Sequence, residues 1–151
     1  MAVSAEAVKE LRDRTGVSVM ECKKALNEAD GDMEKALAIL STRAMAMVGK
    51  KADRVLGAGV VVSYIHNTGQ VGALVLLSSE TDFVSKNEEF VLLARDIAMH
   101  AAAMRPESVE VLLNQPFIKD QGKTVADLVS AATQKFGERI EIRRVEVVSV
   151  R

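Results

Sequence analysis

The chain has 151 residues, a formal net charge of -1 and a single cysteine. A chain of this length buries roughly 68–70 % of its unfolded surface and folds without disulfides or metals, and its near-neutral charge argues against direct nucleic-acid binding, which requires a basic face. Cys22 has no partner for an internal disulfide, and the Met1–Ser4 start lacks a signal-peptide core. No run of apolar residues approaches the ~20 that are needed to span a bilayer. We therefore expect a cytoplasmic protein without membrane contact.

The first third of the chain predicts three short helices. Ser4, Ser18 and Asp32 are the predicted N-caps. Behind these caps, apolar residues recur at helical spacing: Val8, Leu11, Cys22, Ala25, Leu26, Ala29, Ala36, Leu37, Leu40, Ala44 and Met47. The pattern predicts a three-helix amino-terminal domain over residues 1–54, which includes a basic, weakly patterned linker.

A β-hairpin is predicted next. Gly59–His66 is rich in β-branched and aromatic residues, and Val71–Ser78 is an apolar run of strand length. Asn67–Gln70 supplies turn chemistry between them. We expect the two strands to be antiparallel neighbours.

Further helices follow the hairpin. Asn87–Met104 carries an apolar stripe at helical spacing, and Pro106 ends it. Glu107–Asn114 predicts another short helix, and Thr124 caps a last one that ends at Gly137.

The last predicted element is a strand over Ile140–Val148. Its apolar alternation changes phase across Arg143-Arg144, which predicts a β-bulge that keeps both halves facing inward. Residues 55–151 therefore predict an α+β core, a small antiparallel three-stranded sheet with helices on one face.

An acidic-aromatic pair, Asp82 and Phe83, lies in a predicted connection from the strand Val71–Leu77 to a helix. Ser85 and Glu88 have the spacing of a capping box that would open this helix. One interpretation is that the pair is exposed and enters a partner. The other is that Phe83 packs under the turn as a lid on the core while Asp82 helps to cap the helix.

The motifs that could indicate catalysis, nucleotide binding or metal binding are each incomplete. Gly122-Lys123-Thr124 resembles the end of a phosphate-binding loop, but Phe117 occupies the position that requires the first glycine. His66 and His100 lack neighbouring ligands at metal spacing, and Cys22 lies in an apolar helical stripe. We expect no catalytic residues, no metal and no cofactor.

Several ordered segments of the chain have the residue pattern of one known family. They are Val8–Gly16, Met20–Leu26, Gly31–Ala36, Glu80–Val84, Asn87–Phe90, Asn114–Phe117, Gly137–Ile140 and Arg143-Arg144. In this order they resemble the translation elongation factor Ts family over nearly the whole chain. The resemblance implies a guanine-nucleotide exchange factor for elongation factor Tu, the GTPase that delivers aminoacyl-tRNA to the ribosome, and not an enzyme that makes bonds.

The resemblance also implies roles for particular residues. In the family, one segment enters near the magnesium site of the GTPase, where its Asp-Phe pair displaces side chains that hold the metal and the phosphates. The matching residues here are Thr81, Asp82, Phe83 and Val84. Further partner contacts implied by position are Met20, Lys23, Asn87, Phe136 and Gly137.

The chain also differs from longer members of the family. They have a second core module and a coiled-coil insertion, and many have a cysteine where Ser79 stands here. Short members act as homodimers, which the unpaired edges of a three-stranded sheet would suit, and we expect Val145 and Val147 near that interface. An alternative function is a non-catalytic adaptor, in which the helical bundle binds peptides or proteins like a ubiquitin-associated domain.

Overall fold

The computed structural model describes residues 2–151. Its elements are α1 (Ala5–Thr15), α2 (Val19–Glu28), α3 (Met33–Lys50), β1 (Ala58–Ile65), β2 (Val71–Ser79), α4 (Asp82–Ser85), α5 (Glu88–Met104), α6 (Val109–Asn114), β3 (Pro116–Phe117), β4 (Asp120–Thr124), α7 (Val125–Phe136) and β5 (Glu141–Ser149). The predicted α+β class, with amino-terminal helices before a three-stranded antiparallel sheet, is confirmed.

The chain forms two compact units. The first contains the described residues up to Ala52 together with Ser130–Gly137, and the second contains Asp53–Val129 together with Glu138–Arg151. The division into domains 1–54 and 55–151 stays a prediction, and nothing in the sequence pattern indicated that Ser130–Gly137 would group with the first unit. Within residues 2–151, no helix combines the length and apolarity needed to cross a membrane.

The three helices of the first unit form where the predicted N-caps and apolar stripes lie. Each predicted N-cap accepts a backbone N–H three residues ahead: Ala7 to Ser4 at 3.1 Å, Glu21 to Ser18 at 3.3 Å and Lys35 to Asp32 at 2.9 Å. The apolar stripes meet in one core: Val8, Leu11, Val17, Cys22, Ala25, Leu26, Ala29, Ala36 and Leu40. The predicted caps and stripes are confirmed, while the likeness to a ubiquitin-associated domain stays a prediction.

In the second unit, β2 is the central strand of an antiparallel sheet ordered β1-β2-β5. The register between β2 and β5 shifts between Leu76 and Leu77, because Leu76 pairs with Arg144 while Leu77 pairs with Ile142. Arg143 is thus the additional residue on β5. The β-bulge predicted at Arg143-Arg144 is confirmed, and it restores the alternation of the strand.

The two faces of this sheet have different environments. Helix α5 packs against β1 and β2, and Ala73 and Val75 are buried on the covered face. Their partners on β5 are Val147 and Val145, which therefore lie on the same covered face. Both valines are half-buried on this face, so the idea that one half of the strand turns away from the core is wrong, because the bulge returns both halves to the core side. The position of Val145 and Val147 at or near an interface with a second copy stays a prediction.

A small hairpin, β3 with β4, was not predicted. Its five-residue strand, Asp120–Thr124, has no alternating apolar residues, so strand periodicity was missing. The buried His100 holds the hairpin, since its Nδ1 accepts the backbone N–H of Ile118 at 3.2 Å and its Nε2 lies 2.9 Å from Gln115 Oε1. His100 thus has a structural role in the hairpin.

Candidate functional site

The connection between β2 and α5 presents an aromatic side chain to solvent. Asp82–Ser85 forms a single helical turn, in which Val84 is buried and Phe83 is 90 % exposed. Asp82 is also exposed, with its carboxylate 3.8 Å from the Lys86 ammonium. The lid interpretation of Phe83 is therefore wrong, because Val84 faces the core from this turn and Phe83 points away from it.

The predicted capping box at Ser85 and Glu88 is also wrong. Ser85 is the buried last residue of α4, and its hydroxyl donates to the carbonyl of Asp82 at 3.4 Å. Asn87 is the N-cap of α5, since its backbone is extended and its Oδ1 accepts the N–H of Glu89 at 2.9 Å. The chain closes one helical turn and extends again before α5 begins, which the capping-box spacing could not reveal.

Glu138 binds the residues immediately before the exposed turn. Its Oε1 accepts the backbone N–H groups of Glu80 at 3.1 Å and Thr81 at 3.0 Å, and its Oε2 accepts the Thr81 hydroxyl at 2.6 Å. Hydrogen bonds to an ionised carboxylate are stronger than neutral ones. We did not assign Glu138 a role from the sequence, although it lies in a segment that carried the family resemblance, directly after the helix-ending Gly137.

A second set of ionic contacts lies beside this carboxylate. Oε2 of Glu80 accepts the backbone N–H of Arg139 at 3.2 Å, and its Oε1 lies 3.5 Å from Arg54 Nη1. Arg139 in turn donates to the carbonyl of Arg54 at 2.7 Å. Because the Glu80 side chain is only 13 % exposed while Asp82 points to solvent, the two carboxylates do not form a paired acid-base site.

Ser79 anchors the same turn from the strand. It is fully buried, and its hydroxyl donates to the carbonyl of Thr81 at 3.0 Å. Thr81 is thus held through its N–H, its hydroxyl and its carbonyl. The turn that carries Phe83 begins from a fixed residue.

The other predicted contact residues lie in the first unit. On α2, Met20 is 70 % exposed, and Lys23, three residues later, is also exposed. This spacing places both side chains on one face of the helix. By contrast, Thr81–Val84 and Asn87 are grouped in one connection of the second unit.

Phe136 and Gly137 lie at the end of α7. The Phe136 ring is partly buried, and the Lys135 ammonium lies 5.8 Å from its centroid. Gly137 is exposed and has φ 69°, which ends the helix as predicted because glycine tolerates this left-handed conformation. Their contact with a partner stays a prediction.

The single thiol is not suited to chemistry. Burial raises the pKa of Cys22, and this effect outweighs the lowering by the Thr15 hydroxyl at 3.9 Å. Within residues 2–151, no group of three or more histidine, cysteine or acidic side chains is placed to hold a metal ion. The candidate site is the exposed turn that carries Asp82 and Phe83.

Comparisons with known proteins place this site in a family. A family model described as elongation factor TS matches residues 80–151, which include the exposed turn and Glu138. The elongation factor Ts of Acetivibrio thermocellus is 42 % identical over 187 aligned positions, covering 94 % of this chain and 87 % of the relative. The factor from Desulforamulus reducens is 41 % identical and that from Carboxydothermus hydrogenoformans 40 %, each covering 94 % of this chain and 86 % of the relative. The alignments are longer than the chain itself, so these relatives contain residues that it lacks. With this identity along nearly its whole length, the chain belongs to the elongation factor Ts family of translation elongation factors.

Proposed function

We propose that the protein is the guanine-nucleotide exchange factor for elongation factor Tu in the cytoplasm. It would promote loss of GDP from that GTPase without making or breaking a covalent bond, and it needs no cofactor for this. Family membership supports the choice of partner. The observation that carries the mechanism is the 90 % exposure of Phe83 on an anchored turn.

The proposed mechanism is displacement at the magnesium site of the partner. Phe83 enters as a wedge, Asp82 accompanies it, and Thr81 and Val84 fix the two ends of the inserted turn. Burying a whole phenylalanine side chain contributes about 1.5–3 kcal/mol, which offsets the cost of moving partner side chains. Since magnesium couples the nucleotide to its supporting residues, displacing those supports weakens nucleotide binding.

Exchange then follows from thermodynamic linkage. If binding of the protein lowers the affinity of the GTPase for nucleotide by a certain factor, binding of nucleotide lowers the affinity of the GTPase for the protein by the same factor. The protein therefore leaves when a new nucleotide binds, and one molecule serves many GTPase molecules.

Further contacts add affinity outside the wedge. Met20 and Lys23 present an apolar and a cationic side chain from one face of α2. Phe136, Gly137 and Asn87 complete the proposed contact set. These contacts are proposed to hold the partner while the wedge acts.

A fluorescent-GDP release assay tests the proposal. Elongation factor Tu loaded with labelled GDP is mixed with substoichiometric protein and excess unlabelled GDP. We expect many release events per protein molecule, and we expect excess GDP to weaken the complex by the same factor by which the protein weakens GDP binding. Release at the spontaneous rate would refute the proposal.

An adaptor function is the second candidate, because Val19 and Met20 expose apolar surface on α2. Such a protein would bind its partner through the first unit without promoting nucleotide loss. The release assay separates the two functions, since an adaptor would bind elongation factor Tu or another protein and leave the GDP release rate unchanged.

We also propose a homodimer, formed through the sheet face that α5 does not cover. We call this surface the open sheet face; its exposed apolar residues are Val61, Ile65, Leu74 and Val148. Arg144 and Glu146 lie on the same face and pair with each other at 3.0 Å. A twofold axis parallel to this face would stack it on the same face of a second copy, so that the apolar residues of the two copies would cover each other.

A further inference from the structure

We propose that Glu138 is a positioning residue for exchange, which holds the turn that presents Asp82 and Phe83. This inference rests on the proposed function and adds a residue outside the inserted segment. Glu138 lies 57 positions after Thr81 in the sequence, yet its carboxylate binds the start of the turn.

The geometry gives Glu138 control over the direction of the turn. Its two oxygens accept three donors, two from the backbone and one from the Thr81 hydroxyl. Thr81 has an extended backbone, with φ -127° and ψ 158°, and its own side chain does not cap α4. The helical turn therefore lacks a local N-cap, and the orientation of its first residue is set from Glu138.

Two of the three bonds, those from Thr81, lie at the surface, and this position separates positioning from folding. Thr81 is exposed, so water can satisfy its N–H and hydroxyl when the carboxylate is removed. Glu80 keeps its contacts with Arg139 and Arg54, and Ser79 keeps its bond to the Thr81 carbonyl. Loss of Glu138 should thus loosen the turn while the strand before it stays in place.

A loose turn would act poorly as a wedge. Displacement of partner side chains requires Phe83 to arrive in one orientation, and misplacement by about 1 Å can cost about a hundredfold in rate where geometry is critical. Binding through contacts outside the turn does not depend on this orientation. Loss of Glu138 should therefore lower the maximal release rate more than it weakens binding.

The test compares Glu138→Ala, Glu138→Gln and a matched control, Glu107→Ala, in the full chain. Glu107 is exposed in the second unit and lies outside the proposed contact set. GDP release from elongation factor Tu is measured against protein concentration. For Glu138→Ala we expect the maximal rate to fall about tenfold or more while the half-saturating concentration changes less than about threefold. Glu138→Gln retains an oxygen for both backbone N–H groups and should recover to within about threefold of the wild type.

Amide hydrogen exchange gives a readout that does not depend on activity. The amides of Glu80 and Thr81 should exchange about tenfold faster or more in Glu138→Ala, and at the wild-type rate in Glu107→Ala. Equal release rates for Glu138→Ala and Glu107→Ala would overturn the inference, as would equal exchange at both amides. If the wild type itself fails to release GDP, the proposed function fails before the role of Glu138 is reached, and the amide result still decides whether Glu138 holds the turn.

Thr81→Val keeps the inference testable if Glu138→Ala does not fold. This variant removes only the 2.6 Å bond between the Thr81 hydroxyl and Glu138, and the two backbone bonds remain. We expect a decrease of about threefold or more in the maximal release rate, consistent with the loss of one hydrogen bond to a charged group. An unchanged rate in Thr81→Val would overturn the inference.

Discussion

Replacing Phe83 by alanine should separate activity from stability. The side chain is 90 % exposed in the free protein, so its removal takes away almost no intramolecular contact. We expect the free energy of unfolding to change by less than about 0.5 kcal/mol, as for other surface substitutions. Burying a phenylalanine completely contributes roughly 1.5–3 kcal/mol. Because 90 % of the Phe83 side chain is exposed in the free protein, its burial in the complex would contribute about 90 % of this energy, or about 1.4–2.7 kcal/mol. Loss of this contribution corresponds to a decrease of about 10- to 100-fold in nucleotide release.

The assay is release of fluorescent GDP from elongation factor Tu, combined with urea unfolding of each variant. Leu92→Ala is the matched control, because Leu92 is 57 % exposed on α5 and lies outside the proposed contact set. It should release GDP at the wild-type rate. The wedge mechanism would be refuted by a Phe83→Ala protein that is folded and fully active, or by equal losses of activity in Phe83→Ala and Leu92→Ala.

Three further predictions concern affinity, assembly and the sheet. Met20→Ala combined with Lys23→Ala should raise the half-saturating concentration about tenfold and leave the maximal release rate unchanged, and a decrease in the maximal rate alone would contradict this division. Light scattering should give twice the 16.3 kDa protomer mass for the wild type and one protomer mass for Leu74→Lys. Leu92→Lys is the control, and a monomeric wild type would refute the dimer. Gly59→Ala should lower the free energy of unfolding by about 1–3 kcal/mol, because the new Cβ would lie 2.6 Å from the Leu77 carbonyl oxygen. Gly49→Ala, a helical position with open space around it, should instead be neutral or stabilising in the same urea titration.

The sequence predicted which residues form the candidate site more accurately than it predicted the local structure of those residues. It identified Asp82 and Phe83 as a pair in a strand-to-helix connection, and the structure has them there. It did not decide between a wedge and a lid, because a lone phenylalanine near a helix start satisfies either pattern. It also placed the helix cap at Ser85 instead of Asn87, since two cap-forming residues lie two positions apart and spacing alone favoured the first.

What the sequence by itself determined is the set of elements whose causes are local. Helix starts follow from cap side chains that reach a backbone N–H three residues away. The hairpin follows from two strand-forming runs with turn residues between them, and the bulge follows from the change of phase in the period of two along β5. Tertiary structure decided three things. The register of β5 on β2 returned Val145 and Val147 to the covered face, and the packing of Val84 left Phe83 in solvent. The carboxylate of Glu138 was brought to Thr81 across 57 positions. Each of these three features depends on groups that are far apart in the chain. A hydrogen bond or a buried contact between such groups forms only after the strands have paired.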